Sequence, residues 1–141
     1  MQRDISTTSA PTPQSVRIIH GALTTGVILY GIVAHFVLLP NHKITGNLDS
    51  LVPVLLTIAL ALGAVSMLLM KRVPRPDEGE TAGAFWLRAA SPALMTWTPL
   101  EAAALLSVTL HAQTGSNAAI VVAAVVVLLM VLLRPGYFAS R

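Results

Sequence analysis

The chain has 141 residues, 55% of them hydrophobic and only 11% charged, with a formal net charge of +3. Soluble domains carry about 25% charged residues, and a chain this short cannot hide so much apolar surface in one core, so composition excludes a soluble globular domain and points to an integral membrane protein. The absence of cysteine excludes disulfides, iron–sulfur clusters and thiolate metal sites, and the basic excess has no interleaved aromatic patch, so it marks loops and lipid headgroups rather than nucleic acid.

Residues 1–14, MQRDISTTSAPTPQ, are polar and rich in Ser, Thr and Pro, and are expected to form a disordered tail. The apolar run that follows exceeds the 7–15 or so residues of a secretory signal core, and reads as a span. The fold class expected is all-α: one transmembrane domain over 15–141, with four helices at about 16–39, 50–70, 89–112 and 117–133. A crossing helix needs about 20 apolar residues, with about 17 the practical minimum, so the fourth is near the limit.

The connections are unequal in charge. Loop 71–88 holds Lys71, Arg72, Arg75 and Arg88, and with Arg3, Arg17, Arg134 and Arg141 one side carries eight cations against Lys43 alone on the other. The positive-inside rule then puts both termini and the 71–88 loop in the cytoplasm, with a bacterial inner membrane the expected setting. Phe85 and Trp86 beside Arg88, and Tyr137 with Phe138 near the end, read as interfacial anchors. A shift of 71 residues aligns Arg17 with Arg88, Ala22 with Ala93 and Thr25 with Thr96, the pattern of a parallel duplicated hairpin, and sets Tyr30 on Glu101.

Glu101 lies inside the third span, near its middle by sequence. At about 100° per residue it shares a face with Trp97, Thr98, Ala104, Leu105, Val108 and Ala112. A charged acid at a helix centre costs about 2.5–3.5 kcal/mol, so an intramembrane carboxyl is a functional-site candidate by default. It can avoid that cost by taking up a proton, and the plainer alternative is a carboxyl that only joins helices. Pro99 removes a backbone donor nearby and is expected to kink the helix. Thr98 is expected to hydrogen-bond across a close helix contact, and Tyr30 is the expected partner for Glu101 provided the first and third spans touch.

On the first span His20, Thr24, Val27, Gly31 and Ala34 share a face, with His35 at its edge. The first and third spans run the same way, so His35 and His111 are expected at similar depth near the outer surface. Facing histidines can ligate haem, and one haem b between these two is the alternative the pattern leaves open; otherwise no cofactor and no metal is expected. Trp97 offers a ring on which a quinone or pigment can stack. Gly21, Gly26, Gly31 and Ala104 offer close-approach surfaces for helix packing. No glycine-rich phosphate loop, Ser/His/Asp set or paired carboxylates occur, so no catalytic residue is assigned and an enzyme is not expected.

The middle of the chain resembles the helical hairpin of rotary ATPase proteolipids, the c-type ring subunits. ALALGAVSMLLMKRVPRPDEG (59–79) is similar to that family's small-residue helix and basic, Pro-containing, acidic loop, and TPLEAAALLSVTLHAQTG (98–115) to its carboxylate helix. The resemblance implies proton or cation transfer with Glu101 at the carboxylate position. The second span lacks the family's glycine repeat, and the loop is longer.

The function expected first is a non-catalytic accessory or assembly subunit of a larger membrane complex, possible partners being lipids, other membrane subunits or a second copy of itself. Proton or cation handling at Glu101 is the alternative, and a haem- or quinone-binding anchor the second.

Overall fold

The computed structural model describes residues 11–41 and 48–140, so residues 1–10 of the polar tail, His42 and Lys43 lie outside it. The described residues are helical, with no strand among them. Three helices are long and apolar enough to cross a membrane: α1 (Pro13–Asn41), α2 (Val52–Arg72) and α3 (Ala82–Thr114). A shorter apolar helix, α4 (Asn117–Leu132), and one turn and a half of α5 (Pro135–Ala139) complete the chain. α4 has 16 residues and spans about 24 Å, short of a hydrocarbon core of about 30 Å.

The helix ends follow local chemistry. Thr12 caps α1, its side chain accepting from the Ser15 N–H at 3.1 Å, with Pro13 in the first turn where no N–H is needed. α1 therefore begins inside the segment expected to be disordered. Near its other end the backbone widens into a π-helical turn at Ala34–Leu38. α3 stops at Gly115, whose φ of 69° is the left-handed conformation that glycine supplies without strain. Ser116 then caps α4, so two residues turn the chain back on itself.

α3 is the central helix. Half of its apolar stretch is buried, against 17% for α1 and 11% for α2, and it packs on α2, α4 and α1. Ala103 and Ala104 are fully buried, which lets the neighbours come close. Gly31 meets the Val108 side chain across the α1–α3 contact, whereas Gly21 and Gly26 face open space. Pro92 and Pro99 leave the Arg88 and Met95 carbonyls without their helical donors. Hydroxyls serve the carbonyls around these breaks: Thr96 donates to Pro92 O at 3.0 Å, Thr98 to Leu94 O at 2.9 Å, and Ser66 of α2 to Thr96 O.

At the basic end the structure differs from the interfacial anchors expected. α3 begins at Ala82, so Phe85 and Trp86 are helical, and both are buried in one cluster with Val73 and Phe138. Phe138 is fully buried, its ring 6.0 Å from that of Trp97, because α5 folds back under the bundle. Tyr137 alone of these four rings is exposed. The loop before α3 is clamped by Arg88, whose guanidinium donates to Asp77 and Glu80 carboxylates, both at 2.7 Å, and to Arg75 O at 2.9 Å. The Arg88 hydrogen bond, with help from the Asp77 N–H, holds the Glu80 carboxyl below the usual carboxylate range.

Candidate functional site

Four side-chain contacts, three of them involving polar groups, line the seam between α1 and α3. The His20 ring meets Trp97 with centroids 4.7 Å apart, Gly31 meets Val108, Tyr30 Oη lies 3.0 Å from Thr109 Oγ1, and His35 Nδ1 lies 3.0 Å from His111 Nε2. The paired residue numbers differ by 77 (97 − 20), 77 (108 − 31), 79 and 76, so the two helices are parallel and the register is near 77. The alignment at 71 placed Tyr30 on Glu101. Packing of the Trp97 ring against His20 slides α1 along α3 by about six residues more, and the Tyr30 hydroxyl is engaged by Thr109 instead.

At the end of the seam nearer the basic loop, the last turn of α4 joins it. A carbonyl can only accept, so His20 carries its proton on Nε2 and donates to Met130 O at 3.0 Å. Trp97 Nε1–H donates to Leu133 O at 2.8 Å. Final-turn carbonyls have no donor within their own helix, and here two ring N–H groups from α1 and α3 supply them.

At the opposite end of the seam the same rule orders the hydrogens. His111 is buried, and its Nδ1 faces Ser116 O at 3.1 Å, so that nitrogen carries the hydrogen. His111 Nε2 then presents its lone pair, and the exposed His35 donates to it from Nδ1. A separation of 3.0 Å with only 13° between the ring planes means the rings meet edge to edge, since stacked faces stand about 3.5 Å apart. The two histidines are thus engaged with each other. Among the described residues no group of three or more His, Cys, Asp or Glu side chains is placed to hold a metal ion.

Glu101 lies between these ends. Its side chain is half-buried and has neither hydrogen bond nor ion pair among the described residues. Trp97 and Val108, which both touch α1, are about 40° and 20° from it around α3. Glu101 is thus on the side of α3 that faces α1, not on the stripe of Ser91, Met95, Thr98 and Ala102 that faces outward. It stands one turn beyond Trp97, in the half of the seam nearer the basic loop rather than at its middle. Thr98 points elsewhere: it is exposed, back-bonded to Leu94 O, and lines an apolar cavity of about 580 Å³ with Leu69, Met95 and Pro99.

One residue of the seam stands apart. Thr24 is 8% exposed, and its hydroxyl has no hydrogen-bond partner. The hydroxyls of Thr57, Thr96, Thr98, Ser107 and Thr114 all return to the carbonyl four residues back; that of Thr24 does not. Sequence reading set Thr24 on a face with His20 and Gly31 but assigned it no role. The signal available was its spacing from His20, and the missing fact was the register. Comparison with known protein families, with characterised proteins and with solved structures finds no match.

Proposed function

We propose that this chain is a small polytopic membrane protein that crosses four times with its basic end in the cytoplasm, and that it serves as a non-catalytic accessory or assembly subunit of a larger membrane complex. The observation that carries this reading is the state of α1. Among the described residues, nothing lies within 4 Å of where a side chain at Gly21 or Gly26 would begin, and the two lie on opposite flanks of a helix that packs mainly on α3. Small residues at open helix faces let a second helix approach closely. Extraction in mild detergent followed by native mass spectrometry tests it. The expected species is the chain with partner subunits or copies of itself in fixed ratio, weakened by Gly21→Leu or Gly26→Leu. A wild-type chain that extracts only as a stable monomer rejects the reading.

A second reading, proton handling at Glu101, is favoured by one observation: an unpaired carboxyl on the protein-facing side of the central helix. Glu101→Gln keeps the shape and removes the titration. Proton flux into vesicles that is equal for wild type and Glu101→Gln rejects it.

A further inference from the structure

α2 and α4 both pack on α3 and touch each other far less, which leaves a groove between them. Three successive cavities, of about 230, 360 and 630 Å³, follow it toward the basic end. Gly63 and Val125 line the deepest; Met67 and Leu129 are shared by the first two, and Leu132 and Tyr137 by the last two. The residue numbers rise together on both helices, so α2 and α4 run parallel. Gly63 keeps the groove open, since a Cβ there would meet nothing within 4 Å. Val125 and Leu132 are 52% and 58% exposed, so the groove opens sideways, to whatever surrounds the bundle. Val125 stands midway along the deepest cavity and nine residues before Arg134, about 14 Å along the axis. Half of a hydrocarbon core of about 30 Å is about 15 Å, so the groove has the depth of one lipid acyl chain.

The last cavity is the polar one, where Arg134 joins Tyr137 and Ser140 in the lining. Arg134 is exposed, and its guanidinium makes no hydrogen bond or ion pair among the described residues. α2, α4 and α5 carry no acidic residue, and the end of α2 adds Lys71 and Arg72. The acids of the 73–81 loop are Asp77 and Glu80, both held by Arg88, and the exposed Glu78. We propose that the α2–α4 groove and Arg134 form a binding site for one anionic phospholipid of the surrounding bilayer. An acyl chain lies along Gly63, Met67 and Leu129, and the phosphate rests on the Arg134 guanidinium, whose planar fork can hold two phosphate oxygens. A zwitterionic headgroup would bring its own cation to an end that already holds Lys71, Arg72 and Arg134, so the site favours a lipid of net negative charge. The groove is separate from the open α1 face offered to partner subunits, and the proposal stands whether or not that face is covered.

Native mass spectrometry of the full chain in mild detergent, mixed with phosphatidylglycerol or with phosphatidylcholine of the same acyl chains, counts the lipids retained. The expected result is one phosphatidylglycerol held in preference to phosphatidylcholine. Arg134→Gln is expected to lower that preference about fivefold, the worth of one cation beside an anionic headgroup, and Arg134→Lys to keep most of it. Arg72→Gln removes the same charge from the same end but from outside the cavity lining, and is expected to lower it less. Gly63→Leu puts a side chain into the deepest cavity and is expected to weaken retention of both lipids. Arg134 is exposed, so its replacement leaves the packed core intact and the outcome reads binding rather than folding. Equal losses in Arg134→Gln and Arg72→Gln overturn the site and leave only diffuse surface charge. Equal retention of the two lipids by wild type overturns recognition of the anionic head. A dimer that Gly63→Leu breaks places a helix of a second copy in the groove and overturns the lipid.

Discussion

Trp97→Phe isolates the hydrogen bond that ties α4 to the centre of the bundle. The indole is fully buried, its N–H is 2.8 Å from Leu133 O, and Leu133 is itself only 6% exposed. Phenylalanine keeps a ring against His20 and Phe138 but brings no donor, so a buried carbonyl loses its partner. That loss is expected to destabilise the fold by about 1–3 kcal/mol, a factor of about 5–150 in the unfolding equilibrium. Trp97→Ala also opens a cavity and is expected to cost about 3–5 kcal/mol. Reversible unfolding in mixed micelles, titrated with a denaturing detergent, measures both. His20→Ala removes the neighbouring donor to Met130 O, and because the two rings touch, the double variant is expected to depart from additivity. A Trp97→Phe protein as stable as wild type, beside a weakened Trp97→Ala, refutes the reasoning: ring volume alone would then hold α4.

The clamp on the 73–81 loop carries a pH signature. Glu80 is held below the usual carboxylate range in the folded state, so its contribution is present at neutral pH and is lost as pH falls from that range through the lowered value. The protection of the first α3 amides, taken relative to the intrinsic exchange rate at each pH, is expected to fall over that acid window in wild type, and to be low and independent of pH in Arg88→Gln. Gly31→Ala is expected to be neutral or to stabilise by up to about 1 kcal/mol, because a Cβ there meets Val108 at an ordinary 3.7 Å and alanine is the better helix former; thermal unfolding checks it, and a marked loss contradicts the measured gap. Ser66→Ala is expected to lose about 1 kcal/mol by withdrawing the donor to Thr96 O beside the Pro99 break, read by the same unfolding assay.

The three long helices were legible because apolar runs of that length have few other uses, and the Gly115–Ser116 turn because glycine and a capping hydroxyl each announce a helix boundary. The N-terminus of α3 was not. Thr81 caps it, its side chain accepting from the Ala84 N–H, but no acidic residue marks the first turn, and Phe85 and Trp86 beside Arg88 carry the composition of a membrane interface. They are buried because Val73 and α5 join the same cluster, a fact of tertiary packing that no single-helix pattern records. Glu101 was legible as an anomaly of composition, yet the partner of Tyr30 was not. Helical periodicity gives the face of each helix to within a residue. How far one helix slides along the next depends on which side chains interlock, and here Trp97 against His20 decides it. That sliding carries Tyr30 past Glu101 to Thr109.

The shortness of α4 has a consequence for sidedness. The carbonyl of Leu133, which ends it, is bonded to Trp97, and the charged, exposed Arg134 follows at once, so the basic end of the bundle begins at the level of Trp97. Glu101 is four residues beyond that level, about 6 Å along the axis, whereas Thr114 at the far end of α3 is thirteen residues away, about 20 Å. The one carboxyl inside a long helix thus stands about one helical turn from the level where the bundle's basic end begins and more than three from the other, so the two ends of α3 are unequal approaches to it.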